Sequence, residues 1–265
     1  MASDSIKKTF GVALGVCLVC SVLVASTVVA LKPKQEENKK LDKLKNILVA
    51  GDLMEKGKDV EAIYNEKVKP VIVNLETGDI IPESEYDAEL DPKTYDIKDI
   101  VKKPEYTKPI PPEKDMAKIK VEPKDMLVYL VMDKGEMKSL ILPIYGKGLW
   151  STMYGLMALD KDLVHVKGFT FYEHGETPGL GGEVDNPNWK AEWVGKKIFD
   201  DNWNLEIQVI KGKVDKEKPD AVYKVDGLSG STLTTRGVNN LVRFWLGPDG
   251  YGKFLEKVRE EGLHE

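Results

Sequence analysis

Residues 226–238 read DGLSGSTLTTRGV. Five hydroxyl side chains, Ser229, Ser231, Thr232, Thr234 and Thr235, fall within seven residues, and Gly227 and Gly230 stand at the front of the stretch. Just beyond, Val238, Leu241, Val242 and Trp245 occur at i, i+3, i+4 and i+7. That spacing is the apolar stripe of a helix that begins near Thr232, and Gly247 and Pro248 stop it. A turn rich in hydroxyls therefore feeds a helix N-terminus, whose free N–H groups and positive dipole end favour an anion, phosphate in particular. One hydroxyl there is accounted for by helix capping. Five exceed what a cap uses.

Working outward, the elements around this stretch read as an α+β domain. DMLVYLVMDKGEMKSLILPIY at 125–145 predicts two strands around a DKGE turn, with Pro143 placing the second strand's end near an edge. STMYGLMALD at 151–160 predicts a short helix capped by Ser151. HVKGFTFYEH at 165–174 alternates as a strand and runs into the glycine-rich GETPGLGGEV at 175–184, and NLEIQVIKGKV at 204–214 alternates again. A last helix is expected over 252–261, with Phe254, Leu255 and Val258 on one side. Upstream, Val71, Val73 and Leu75 mark a strand ended by the TGD turn at 77–79. Between residues 91 and 123 six prolines (Pro92, Pro104, Pro109, Pro111, Pro112 and Pro123) predict an extended connection draped on the surface. Strands, a helix, strands and then helices fit α+β rather than repeated βαβ units.

At the other end, FGVALGVCLVCSVLVASTVVAL, Phe10 to Leu31, is 22 residues without a charge. As a helix it spans roughly 33 Å, enough to cross a bilayer. It is longer than the core of a signal peptide, and Lys32 and Lys34 follow at once, so an uncleaved anchor is the better reading. Cys17 and Cys20 lie inside this run without the partners that a zinc or redox site needs. Leu41, Leu44, Ile47 and Leu48 then mark an amphipathic helix over 35–48. The organisation expected is a short tail over 1–9, a transmembrane anchor over 10–31, a membrane-proximal helix, short strands and proline-bearing connection over 32–124, and a folded domain over 125–265. The lysines that flank the anchor would, by count alone, keep that domain in the cytoplasm, but long domains cross largely regardless of charge. The formal charge of −5 argues against a nucleic-acid partner.

Several chemistries fail on spacing. A nucleophile elbow needs G-x-S-x-G, and residues 227–231 read GLSGS instead. No phosphate-binding loop of the form G-x-x-x-x-G-K-[ST] occurs. His174-Gly175-Glu176 imitates the H-x-E of zinc deaminases without the cysteine pair that completes such a site. With His165, His174 and His264 the only histidines, no metal site is expected.

Ser229-Gly230-Ser231-Thr232 resembles the S/T-G-A/S-T segment of FMN-binding domains, whose final threonine is joined to the flavin's phosphate. Gly148-Leu149-Trp150-Ser151 and the run from Glu173 to Gly181 (EHGETPGLG) resemble two other segments of that domain. The whole chain, anchor included, is similar to the C subunits of sodium-translocating NADH:quinone reductases. It departs from them at Ser231, where alanine is more usual. The resemblance implies a single N-terminal transmembrane helix followed by a mixed α+β FMN-binding domain, with FMN held covalently as a phosphoester on Thr232. Ser229, Gly230, Ser231 and Thr235 would surround the phosphate, Trp150 and Leu180 would pack on the ring, and Glu176, Thr177 and the Gly179 to Gly181 backbone would meet its edges.

The same resemblance implies an electron-relaying subunit in a bacterial inner membrane, with the other subunits of the complex and membrane lipid as partners. It implies that the flavin carries the redox step and that no protein side chain is catalytic. It also implies a flavin transferase that draws on FAD outside the cytoplasm, and hence a periplasmic domain. Two alternatives stay open on the residues. One is the flavoprotein G subunit of an ion-translocating ferredoxin:NAD reductase, and the other is a flavin-free anchored scaffold or binding module in which the hydroxyls only cap a helix.

Overall fold

The computed structural model describes residues 6–55 and 57–263; expectations for residues 1–5 of the tail and for His264 lie outside these. The chain divides into two compact units, 1–43 and 44–265. The first is dominated by α1, a 45-residue helix over Ile6–Ala50 that contains the whole uncharged run and continues through the expected amphipathic segment. Val12, Leu14, Val22 and Val24, spread around the helix, are all exposed. A helix that shows apolar side chains on every face suits hydrocarbon rather than water. Among the described residues α1 is the one helix long and apolar enough to cross a membrane.

The second unit is built on a five-stranded antiparallel sheet. Its strands are β1 over Val68–Asn74, β4 over Asp125–Asp133, β5 over Glu136–Lys147, β6 over Thr152–Asp160 and β7 over Val166–Glu173. They lie side by side in that order. Helix α2, Val60–Lys67, precedes β1 and is capped by Asp59, whose side chain accepts from the Ala62 N–H. The end of α1 belongs to this unit's core through Ile47, Leu48 and Ala50.

Three expectations change at this point. Residues 151–160 form the strand β6, not a helix. Met153, Leu156 and Met157 fall at helical spacing by coincidence, and from Gly155 to Leu159 every residue is buried, so the strand has no polar face to show an alternation. Pro143 lies inside β5, the middle strand of the sheet, not near its edge. It is tolerated because the β4–β5 ladder stops at Tyr129 and Ile141, which leaves Pro143 paired only with Leu156 of β6. The missing N–H therefore breaks no bond, and the Pro143 carbonyl accepts from the Tyr251 hydroxyl at 2.7 Å. Finally, the proline-bearing connection is not merely draped. It holds α3 over Ile97–Ile100 and a two-stranded ribbon of β2, Thr107–Pro109, with β3, Val121–Pro123, and it buries Tyr95, Ile97, Ile100 and Ile110.

After β7 come the short helix α4 over Pro187–Ala191 and a two-residue parallel bridge between β8, Gln208–Val209, and β9, Lys224–Val225. Of the long strand expected over 204–214 there remain that bridge and an isolated antiparallel bridge from Leu205 to Phe199. Side chains hold the segment instead: Arg243 Nη1 donates to the Ile207 carbonyl at 2.9 Å, and Asn239 Oδ1 accepts from the Val209 N–H at 3.0 Å. Helix α5 runs from Thr232 to Leu246 and α6 from Gly252 to Glu261, as the apolar spacing predicts. Val238, Leu241, Val242 and Trp245 are all buried; each such side chain contributes about 1.5–3 kcal/mol. The Trp245 indole donates to the Tyr145 carbonyl at 2.6 Å, tying α5 to β5 and fixing where its N-terminus emerges.

Candidate functional site

The five hydroxyls of the 226–238 stretch sort themselves by burial. Ser231, Thr234 and Thr235 are buried, whereas Ser229 and Thr232 are exposed. Ser231 is the residue before α5, yet its side chain does not cap the helix. Its hydroxyl donates to Thr234 Oγ1 at 2.9 Å instead. Thr235 donates to the Ser231 carbonyl at 2.9 Å and accepts from the Leu228 N–H at 3.0 Å, which secures the turn that enters the helix. The first-turn N–H groups of α5 are thus left without a side-chain acceptor. Thr232 sits among them, and among the described residues its hydroxyl has no hydrogen-bond partner.

Below this helix end lies Glu176, a carboxylate 5% exposed. Thr234 donates to its Oε2 at 2.6 Å, and Leu149 N–H reaches the same oxygen at 3.2 Å. The other oxygen accepts from the N–H groups of Trp150 at 2.9 Å and Ser151 at 3.4 Å. Burial raises the carboxyl's pKa, but the Thr234 hydroxyl and the three backbone donors outweigh it and hold Glu176 below its ordinary value. Two glycines make room. A Cβ at Gly148 would come within 2.6 Å of Glu176 Oε1, and one at Gly181 within 2.6 Å of Thr234 Oγ1 and 2.8 Å of Glu176 Oε2.

The loop that carries Glu176 is itself anchored. Ser151 Oγ, expected to cap a helix, accepts from the Gly175 N–H at 2.7 Å. His174 accepts from the Glu176 N–H on Nδ1 at 3.2 Å and faces Asp185 Oδ2 through Nε2 at 2.8 Å. With Nδ1 accepting, Nε2 is the nitrogen left to donate to Asp185. Thr177 turns the chain, its carbonyl accepting from Leu180 at 3.1 Å and Gly182 at 2.9 Å.

These elements enclose a cleft of about 350 Å³, within the size range of small-molecule sites. Of the residues singled out in the sequence, Trp150, Glu176, Thr177, Leu180, Gly181, Gly230, Ser231 and Thr232 line it. Ser229, Gly179 and Thr235 do not. Leu149, Leu233 and Thr234 join the lining without having been anticipated as site residues. Leu149 stands inside the 148–151 stretch but was not picked out within it, and Leu233 is an apolar residue that no motif singles out. Thr234 was visible as one of five hydroxyls, but nothing in the sequence separates it from Thr235. The walls are apolar and open: Trp150 is 67% exposed and Leu180 is 46% exposed.

The arrangement suits a flat ring bearing a phosphate. A phosphate is met by unclaimed N–H donors at the helix start, a ring by Trp150 and Leu180. A larger cleft of about 680 Å³ lies elsewhere, lined by residues of the turn after β1 and of α6. Its charges are largely spoken for, since Lys257 pairs with Asp79 and Asn74 donates to Asp125 at 2.7 Å. Among the described residues no group of three or more His, Cys, Asp or Glu is placed to hold a metal.

Comparison with known proteins matches the same region. The FMN-binding domain family matches residues 148–247, which include every residue of the cleft. Over 260 residues the chain is 48% identical to the C subunit of the Na(+)-translocating NADH-quinone reductase of Pseudomonas aeruginosa, covering 97% of each chain. It is 42% identical over 262 residues to the corresponding protein of Vibrio alginolyticus, covering 99% of this chain and 98% of that one. Among solved structures, Shewanella oneidensis NqrC superposes with a TM-score of 0.74 at 37% identity, covering 84% of this chain and 99% of that chain. The C subunit from Parabacteroides distasonis gives 0.63 at 29% identity, covering 85% of this chain and 96% of that chain.

Proposed function

Since the chain belongs to the family of C subunits of Na(+)-translocating NADH-quinone reductases, we propose that Thr232 carries its FMN as a phosphoester and that the domain relays electrons within the assembled complex. The chain is a flavoprotein subunit of a multi-subunit redox complex, and the other subunits are its partners. The G subunit of a ferredoxin:NAD reductase is not favoured, because the curated relatives at 42–48% identity over nearly the whole chain are C subunits. A flavin-free scaffold is disfavoured by the FMN-binding domain match.

The single observation that carries the attachment site is the sorting of hydroxyls. Of the five, Thr232 alone is both exposed and on the cleft. Ser231 and Thr234 line the cleft but are buried and hydrogen-bonded to each other, and Thr235 is bonded into the turn. Thr232 would supply the hydroxyl oxygen that takes the FMN phosphoryl group from an FAD donor, with AMP leaving and the hydroxyl proton released; nothing would be oxidised or reduced.

Bound FMN supplies the electron-accepting and electron-donating chemistry. The chain's own residues do the rest. The open first turn of α5 would receive the phosphate and Trp150 and Leu180 would flank the ring, while the Glu176 network locks residues 149–151 to the helix end so that these surfaces keep their spacing. The direct test is acid precipitation of the chain after co-expression with a flavin transferase. A yellow, fluorescent chromophore retained on the denatured protein supports the reading, and a colourless pellet refutes it.

The helix α1 serves as the membrane anchor. The flavin transferase of this reading works outside the cytoplasm, so the domain is assigned to the periplasmic side. Protease treatment of spheroplasts checks this: digestion of residues 50–265 is expected, and their protection would place the domain in the cytoplasm.

A further inference from the structure

Glu176 is the one charged side chain on the lining of the cleft. Four donors meet its two oxygens, and all four are neutral: three backbone N–H groups and the Thr234 hydroxyl. Among the described residues no lysine, arginine or histidine forms an ion pair with it. Lys147, close by in sequence, spends its ammonium on the Trp150 carbonyl at 2.9 Å. Burying a charge without a counter-ion is costly, and an uncharged side chain would fill the same space without that cost. The structure nevertheless keeps the charge, satisfies it with donors that favour the ionised form, and leaves room for it at Gly148 and Gly181.

A charge held this way acts on whatever occupies the cleft. Water is largely excluded from the carboxylate, so its field is screened far less than at an exposed surface. A flavin ring gains electrons when it is reduced, and nearby charge is one of the means by which a protein tunes it. We propose that Glu176 is a potential-setting residue, its fixed negative charge on the cleft lining opposing electron gain by the ring and so holding the flavin's reduction potential down. This rests on the reading that FMN occupies the cleft.

A purely structural role predicts something different. If Glu176 only fastens loop 149–151 to α5, then cutting the same network at Thr234 should affect the flavin alike. The experiment is a spectroelectrochemical titration, near neutral pH, of the full-length flavinylated chain in detergent, comparing wild type with Glu176→Gln and Thr234→Val. The potential is expected to rise in Glu176→Gln. In Thr234→Val, which removes a buried hydroxyl but keeps the charge, it should stay unchanged or fall. No rise in Glu176→Gln, or an equal rise in both variants, would overturn the proposal.

A measurement on the wild type guards against a variant that does not fold. Reduced-minus-oxidised infrared spectra with isotope-labelled glutamate are expected to show a shifted carboxylate band, because a charge that acts on the ring is acted on by it. The absence of any glutamate carboxylate band would also overturn the proposal. Lack of covalent flavin on the wild-type chain is a separate result, which would overturn the reading of the cleft and this inference with it.

Discussion

Thr234 and Glu176 are 58 positions apart in the sequence, and the threonine hydroxyl donates to the carboxylate at 2.6 Å in a buried setting. This bond joins the first turn of α5 to the loop after β7. Through the backbone donors of 149–151 it also draws in the segment between β5 and β6. Two stretches that resemble an FMN-binding domain, 148–151 and 173–181, thus meet at one carboxylate, and the third, 229–232, reaches it through the Ser231–Thr234 bond.

Breaking that bond should weaken the domain without changing its shape. Thr234→Val keeps the volume and removes the donor, and a hydrogen bond to a charged group is worth about 1.5–3 kcal/mol. Urea denaturation of the variant should show a loss of that order. An unchanged midpoint would mean that the network is not contributing to stability.

The same carboxylate predicts an acid dependence with a definite sign. Its folded pKa lies below the ordinary value of 4.5, so its contribution is fully present above that value and is lost as pH falls through the lower folded one. The stability gap between wild type and Glu176→Gln should therefore be largest near neutral pH and shrink on acidification below about 4.5. A gap that is constant or widens in acid would contradict the assignment of an ionised Glu176.

Two glycines of one loop should respond differently to alanine. At Gly181 a Cβ would meet both Thr234 Oγ1 at 2.6 Å and Glu176 Oε2 at 2.8 Å, so Gly181→Ala must displace the network and is expected to impair flavin attachment. At Gly179 nothing lies within 4 Å, and the only obstacle is its φ of +74°. Gly179→Ala should cost about 1 kcal/mol in backbone strain and leave the flavin in place. Comparable flavin content in the two variants would argue against the close approach at Gly181.

Trp150 tests the ring's position. At 67% exposed it contributes little to the core, so Trp150→Ala should fold with nearly unchanged stability. If the ring lies against the indole, flavin fluorescence should rise when the indole is removed. An unaltered emission would put the ring elsewhere in the cleft.

How far the sequence could be read depended on whether a residue's partners were local. The start of α5 at Thr232 and its buried face followed from an apolar stripe and a terminating Gly-Pro, both local signals. The β4–β5 hairpin was legible for the same reason. Strand β6 was not, because both of its faces are covered from Gly155 to Leu159, which erases the alternation that marks a half-exposed strand. The 204–214 segment erred in the opposite way: Leu205, Ile207 and Val209 alternate, but Arg243 and Asn239 of α5 claim the backbone groups that a longer ladder would use.

At the site, Thr232 was singled out by the resemblance of residues 229–232, which says nothing of its exposure, whereas the helix end was readable from the apolar stripe. The role of Ser151 was not, since the loop that claims it lies 24 positions away. Nor was that of Thr234, because the three donors it shares Glu176 with are all backbone groups, which leave no mark on the sequence.

The most direct test of the attachment site is peptide mass mapping of chains co-expressed with the flavin transferase, reading the segment 225–236 between Lys224 and Arg236. Wild type and Ser231→Ala are expected to carry one FMN adduct on this peptide, since Ser231 Oγ faces Thr234 at 2.9 Å rather than serving as the acceptor. Thr232→Ala is expected to carry none while remaining folded, because losing one hydroxyl at a helix start costs only about 0.5–2 kcal/mol. An adduct that persists in Thr232→Ala, or that disappears in Ser231→Ala, would contradict the account.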